Sequence, residues 1–333
     1  MGRWSIGLII LLMILGVYSI GCKAQDRHLG DMMDGDEYPA EEVREPIYDD
    51  AEDIMDEFDN IVKGDNEPFV LIGFMDEHIG SVAEDEAVEM ILELERVQEA
   101  YVERYAEQLF AEGYQMELLG LHEVSRIDDD MDETHILKQL YFDAEGIERI
   151  KDGDLEQLVQ HIMDGGYKLI NTEGVFYPII DYEALGIYYE YITEEIEDYI
   201  EIKAMDLREP AIIDAELQIT FDQLSGRLMD IENYIAEYPR GRRYGRLLDL
   251  YDSYLGVYLI GTDNSPIYDY ETGRIREEVW DSYRKAAGDM DRPIFQTIDR
   301  YMDIIGKNGN SIDGDILSKV PGLKAMAIAK LQK

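Results

Sequence analysis

Four arginines, Arg240, Arg242, Arg243 and Arg246, lie within seven residues of a chain that carries 74 acidic against 30 basic residues. They sit where a helical pattern begins. Guanidinium groups beside the free N–H groups of a helix start make a competent anion site, for a phosphate, a carboxylate or a teichoic-type polymer. The competing role is internal: cations in so acidic a chain find partners on neighbouring acidic helices. Asp128, Asp130 and Asp132 occupy the first three ligand positions of a calcium loop. Glu133 stands in that loop's glycine position and Gln139 in place of its bidentate glutamate, so the stretch supports weak cation association at most, or a solvated acidic turn. The five histidines (His28, His78, His122, His135, His161) are scattered, without the helical i, i+4 pairing of a zinc site. Acids are so frequent that carboxylate spacing carries no catalytic meaning. Glu194, Glu195, Glu197, Asp198 and Glu201 read as the wet face of a helix. There is no glycine-rich phosphate loop and no Gly-x-Ser-x-Gly elbow. Most of the 24 tyrosines fall on apolar helix stripes, where they serve core packing or line a groove for a glycan or peptide.

Cys22 is the single cysteine, so no intramolecular disulfide can form and the fold must rest on its core. It closes a distinctive stretch. Arg3 supplies a positive start, Ser5 to Ile20 is almost continuously apolar, and Ser19-Ile20-Gly21-Cys22 ends it. A basic residue, a short apolar core and small residues describe an export signal. The core is shorter than the ~20 residues that cross ~30 Å of hydrocarbon. The stretch allows an uncleaved membrane anchor, a cleaved signal that leaves Cys22 as a free thiol, or a lipidated cysteine. All three place the body outside the cytoplasm. The last four residues resemble the lipobox of bacterial lipoproteins, with Gly21 and Cys22 at its two most specific positions and Ser19 where Leu, Val or Ile is usual. The resemblance covers residues 1–22. It implies cleavage before Cys22 and a diacylglycerol or acyl lipid, such as palmitate, on its sulfur. That lipid would hold the mature protein on the membrane, and no other cofactor is expected.

A chain of 333 residues allows one or two domains, and 46% hydrophobic content describes a globular body. The net charge of −44 repels nucleic acid and anionic lipid headgroups. No nucleic-acid partner is expected, and a lipid anchor would offset the repulsion from a membrane. Self-repulsion of this size also destabilises a compact state unless salt screens it. The charge therefore points to a salty setting, to a cationic partner or to cations held at the surface.

The elements that must position these residues follow in order. Residues 23–65 are rich in acids, broken by Pro39 and Pro46, and read as a flexible acidic tether, with a short helix allowed within Asp50 to Val62. Pro68 to Met75 is a buried strand or a helix start. Ser81 and Glu84 have capping-box spacing, and Ala87, Ile91, Leu94, Tyr101, Tyr105 and Leu109 form the stripe of a helix that ends near Gly113. Tyr114 to Ile150 reads equally as two strands or two helices around the acidic turn Asp128 to Glu133. Asp154 and Gln157 open a short helix that stops at Gly165-Gly166. Residues 167–180 read as a β-hairpin turning at Asn171-Thr172-Glu173-Gly174, with Pro178 marking an edge. A stripe from Tyr182 to Ile200, interrupted near Thr193, is helical. Thr220 and Gln223 form a second capping box before Leu224, Leu228, Ile231 and Ile235. Pro239 ends that helix, the next runs from Tyr244 to Ile260, and Gly261 stops it. Short helices follow at Glu277 to Ala287 and Pro293 to Ile305. Ile316 to Lys333 is a small basic tail that docks or frays.

The expected fold is mainly α, an irregular helical bundle of helical hairpins with a small β-hairpin as its minor α+β component. The expected divisions are a signal and anchor (1–22), the tether (23–65), an N-terminal α(+β) region (66–150), a helical domain (151–320) and a basic tail (321–333). The Leu224 to Ile260 pair, with Tyr238-Pro239 at its junction, resembles the helical hairpins of tetratricopeptide-type proteins, without a 34-residue period elsewhere. More loosely, residues 150–310 resemble uncharacterised helical lipoproteins of Gram-positive bacteria, a likeness that names no activity. The first expected function is a membrane-anchored extracytoplasmic lipoprotein, a binding or scaffold module for a cell-envelope protein or polymer. The alternative is an envelope hydrolase acting on glycan or peptide through acidic residues in a tyrosine-lined cleft. A solute-binding lipoprotein is a third reading, opposed by the missing alternation of strands and helices.

Overall fold

A computed structural model describes residues 51–125, 140–286 and 292–332. The fold is mainly α, with two small antiparallel strand pairs among the described residues. Its helices are α1 (Ala51–Lys63), α2 (Pro68–His78), α3 (Glu84–Leu109), α4 (Tyr114–Ser125), α5 (Gly153–Asp164), α6 (Glu194–Arg208), α7 (Phe221–Glu237), α8 (Tyr244–Ile260), α9 (Glu277–Ala286), α10 (Pro293–Lys307), α11 (Gly314–Leu317) and α12 (Val320–Leu331). The strands are β1 (Tyr167–Thr172), β2 (Val175–Ile180), β3 (Ile212–Ile213) and β4 (Glu216–Leu217). One continuous apolar core runs from Phe58 on α1 to Ala327 on α12.

At each end of the body the structure takes up a reading left open, a short helix in the last part of the tether and a docked tail. Residues 51–63, the last part of the expected tether, are helix α1. Ile54 and Phe58, one turn apart, are buried against the body, and that apolar stripe outweighs the acids around it. The expected basic tail is likewise part of the body from Val320 on. Val320, Leu323 and Ala327 are buried, Lys324 pairs with Asp252 at 2.9 Å, and Tyr244 donates to the carbonyl of Leu331 at 3.0 Å. Pro68 opens α2 rather than a strand, its fixed φ suiting the first helical position.

Helix α3 is the long axis of the N-terminal half. Its cap lies two residues later than the spacing of Ser81 and Glu84 suggests: Glu86 accepts from the Ala83 N–H at 2.8 Å, while Ser81 closes a 3-10 turn, Ile79–Ser81. The ambiguous stretch after Gly113 begins as helix α4 and, beyond the undescribed 126–139, continues through a bridge at Tyr141 and a 3-10 segment, Ala144–Arg149. Asp152 caps α5, accepting from the N–H groups of Asp154 and Leu155. Gly166 then brings the chain against α3. Its φ is +75°, and a Cβ there would lie 2.6 Å from Gln98 Nε2, which donates to the Gly165 carbonyl at 2.9 Å.

The hairpin pairs Tyr167 with Ile180 through Thr172 with Val175. Glu173 and Gly174 both have positive φ, the two-residue loop that matches strand twist, and Asn171 accepts from the Gly174 N–H at 2.9 Å. The outer edge of β2 is covered: the Gln115 amide brackets Phe176, accepting from its N–H at 2.8 Å and donating to its carbonyl at 3.1 Å.

In the C-terminal half, Thr220 and Gln223 form the expected reciprocal cap of α7. The interruption near Thr193 separates a 3-10 segment, Ala184–Tyr191, from α6. Gly261 ends α8 with φ +82°, and a Cβ there would lie 2.3 Å from the Ser265 carbonyl. Helices α7 and α8 pack side by side, and α9, α10 and α12 close around them.

Candidate functional site

Three of the four clustered arginines meet the acidic face of α3. Arg242 contacts Glu89 and Asp85, Arg243 contacts Glu95, and Arg246 grips Glu99 through two bonds of 2.6 and 2.7 Å. The acids recur along α3 at helical spacing, so consecutive turns of the α7–α8 junction lie against consecutive turns of α3. Arg240 is exposed and enters no ion pair among the described residues. The guanidinium charges expected to face an anion therefore face carboxylates of this chain, the internal role named for them. Asp128, Asp130 and Asp132, along with Cys22, His28 and His135, lie outside the described residues.

At the centre of this contact lies Glu95, 2% exposed. Its Oε1 accepts from the hydroxyls of Tyr182, at 2.7 Å, and Tyr199, while Oε2 faces the Arg243 guanidinium. Arg243 also lies over the Tyr199 ring, 5.6 Å from its centroid. A buried carboxylate is tolerated only when paired and hydrogen-bonded, and here both conditions are met. Burial, then the Tyr199 and Glu95 charges, pushes the Tyr182 hydroxyl well above the ordinary tyrosine range. Tyr199 moves the same way, by burial and then Glu95.

Next to it on α6 stands Lys203, half-buried, with Nζ 4.9 Å from the centroid of the Tyr182 ring. Burial holds its ammonium below the ordinary lysine value, against the opposing pull of Glu95, Asp206 and Glu99. One turn on, Asp206 accepts from Arg227 at 2.5 Å, from the Ala211 N–H at 3.1 Å and from the Tyr254 hydroxyl. Arg227 is itself buried.

A second buried glutamate, Glu232 on α7, accepts from the Tyr251 hydroxyl at 2.6 Å and the Ile294 N–H at 2.7 Å. The residue before α10, Arg292, makes no side-chain cap. A carboxylate from another helix thus satisfies the helix start.

These contacts share one chemistry. Tyrosine hydroxyls donate to carboxylates across the molecule: Tyr105 to Glu67, Tyr188 to Asp76, Tyr189 to Glu201, Tyr234 to Glu195 and Tyr238 to Asp198. Glu195, Asp198 and Glu201, expected on a wet face, are half-buried acceptors for tyrosines instead. Tyrosine brings a hydrogen-bond donor and an apolar ring in one side chain. It lets acids approach the core where cations are scarce. The tyrosine stripes therefore serve packing and carboxylate satisfaction together.

The remaining candidates are plain. His161 lies between Glu67, at 3.3 Å, and the Phe69 ring, His78 stacks on Phe74, and His122 is buried against Phe176. Among the described residues, no group of three or more His, Cys, Asp or Glu side chains is placed to hold a metal ion. A cavity of about 420 Å³ at the 3-10 segment is lined by Ala144, Glu145, Glu148 and Arg149, two carboxylates with no tyrosine beside them.

Sequence reasoning missed Glu95, Glu232 and Lys203. The signal for both glutamates was present: each acid falls on an apolar stripe, Glu95 four residues after Ile91 and Glu232 four after Leu228. Comparison with protein families, with curated proteins and with solved structures finds no match for this chain.

Proposed function

We propose that this chain is a membrane-anchored extracytoplasmic lipoprotein whose helical body acts as a binding or scaffold module at the cell envelope. The observation that carries this reading is Ser19-Ile20-Gly21-Cys22 at the end of an apolar run, with Cys22 the only cysteine. Two features of the body are consistent with it. No helix of the described residues is long and apolar enough to cross a membrane, so attachment falls to the N-terminal stretch. The most deeply buried acids, Glu95 and Glu232, are bound up in structural networks. With a net charge of −44, the body favours a cationic or neutral envelope protein or polymer, and cations, over nucleic acid.

The test is to express the full chain and Cys22→Ala in a bacterial host supplied with a tagged fatty acid. The lipoprotein reading predicts label on the wild type, none on Cys22→Ala, and release of the variant from membranes into the soluble extracytoplasmic fraction. Membrane association without label, persisting in Cys22→Ala, would overturn it in favour of an uncleaved anchor.

A further inference from the structure

Tyr105 is the middle ring of three. Its centroid lies 5.4 Å from that of Tyr101, one turn earlier on α3, and 5.5 Å from that of Tyr167 on β1. Tyr105 is fully buried. A ring in that position cannot meet a substrate, but it can exchange an electron with its surroundings and a proton along a hydrogen bond. Its hydroxyl donates to Glu67 Oε2 at 2.9 Å, and the same oxygen lies 3.3 Å from His161 Nδ1. His161 is partly open to solvent and packs on the Phe69 ring, 4.2 Å between centroids. A phenol, a carboxylate and an imidazole are thus in contact from the core towards the surface. Glu95, Glu201 and Asp206 also accept tyrosine hydroxyls, but each is bound by an arginine, and a guanidinium does not take up a proton.

We propose that Tyr105 is a redox-active tyrosine that yields one electron to diffusible one-electron oxidants, such as high-valent metal complexes, and passes its proton to Glu67 and His161. The electron leaves the Tyr105 ring for the oxidant, directly or by way of Tyr101. The O–H bond breaks and its proton goes to Glu67 Oε2. The products are a neutral phenoxyl radical, a protonated carboxyl group and the oxidant reduced by one electron. Transfer of the proton on to His161 Nδ1 restores the Glu67 carboxylate and leaves an imidazolium in exchange with solvent. One-electron reduction of the radical reverses these steps.

Local charge selects this ring from the three. The Arg104 guanidinium lies 4.6 Å from the Tyr101 centroid and opposes positive charge there, whereas the Glu67 carboxylate favours it at Tyr105. The Tyr101 and Tyr167 hydroxyls donate to the main-chain carbonyls of Asp65 and Gln98, which do not hold a proton. Burial and then Glu67 push the Tyr105 hydroxyl well above the ordinary tyrosine range, so its proton leaves with the electron and not before it. The site goes beyond the lipoprotein reading and does not depend on lipidation.

The experiment uses the full chain, alone and with Cys22→Ala so that a free thiol does not compete. A laser flash on ruthenium tris-bipyridine with persulfate generates the oxidant. Transient absorbance and freeze-quench electron paramagnetic resonance follow the tyrosyl radical. Tyr105→Phe keeps the ring and is expected to remove the longest-lived radical, while dityrosine formation at the exposed Tyr270 rises. Glu67→Gln and His161→Gln keep Tyr105 and a hydrogen-bonding side chain but remove a proton acceptor. Each is expected to slow radical formation at least about tenfold, the scale of a positioned acid–base group. Radical yield and lifetime unchanged in Tyr105→Phe would overturn the proposal. So would a formation rate within about twofold of the parent in either glutamine variant, far below that scale, and this comparison does not rely on Tyr105→Phe.

Discussion

Glu95 and Glu232 are both buried glutamates that accept tyrosine hydroxyls, yet they do different work. Glu232 joins neighbours: α7 to Tyr251 on α8 and to the start of α10, all within the C-terminal half. Glu95 joins strangers. Its partners are Tyr182, Tyr199 and Arg243, the last nearly 150 residues away along the chain. The Arg242 and Arg246 contacts flank it on the same face of α3. Glu232 meets a helix start and a hydroxyl of its own half, whereas Glu95 meets an arginine where the two halves of the chain meet.

Glu95→Ala strands the half-buried Arg243 and two hydroxyls, and is expected to cost about 3–5 kcal/mol in urea unfolding. Glu232→Ala removes the acceptor of the Tyr251 hydroxyl and of the Ile294 N–H, and is expected to cost at least about 2 kcal/mol. An equal or larger loss at Glu232 would reverse the ranking. Smaller still, Tyr199→Phe and Tyr251→Phe each remove one hydroxyl donor, for about 1 kcal/mol apiece by the same measurement. At the exposed edge of the contact, Arg246→Ala is expected to cost less than about 1 kcal/mol and to cost less again in high salt, because the Arg246–Glu99 pair is open to solvent.

Alkaline titration sharpens the same picture. Tyr182, Tyr199 and Tyr254 are held well above the ordinary tyrosine value, by burial first and then by charged or ionisable neighbours including Glu95 and Asp206. Over the window above about pH 10, such a tyrosine keeps its proton in the folded chain and loses it in the unfolded one. Their contribution is therefore fully present below pH ~10 and is lost as pH rises beyond it. Tyr258, bonded to Ser282 at 2.9 Å rather than to a carboxylate, is pushed up only to about 12 by burial. Tyrosinate absorbance is expected to rise together with loss of helical circular dichroism. Early titration of Tyr182 and Tyr199 without unfolding would contradict their burial.

Much of the fold was legible because local chemistry decided it. Thr220 with Gln223 specifies a helix start whatever surrounds it, and Asn171 with Gly174 specifies a tight turn. Prolines and glycines marked the ends of α7, α5 and α8 for the same reason. Where tertiary contacts decided, the sequence was silent or misleading. The acids of α1 suggested a tether, but Ile54 and Phe58 find the core. Gly113 to Ile150 has no dominant period, and the chain there takes a helix, a bridge and a 3-10 segment. The arginine cluster was visible as an anomaly, yet its partners lie on α3, far away in sequence. Glu95 was hidden by abundance: among 74 acids, one acid on an apolar stripe draws no notice until the hydroxyls aimed at it are seen.

The Glu95–Arg243 pair clamps the two halves of the chain together. A double-mutant cycle of Glu95→Gln and Arg243→Met, read by urea unfolding, tests it most directly. The clamp predicts a coupling of about 2–3 kcal/mol between the two substitutions. Additivity within about 0.5 kcal/mol, the behaviour of independent sites, would contradict it.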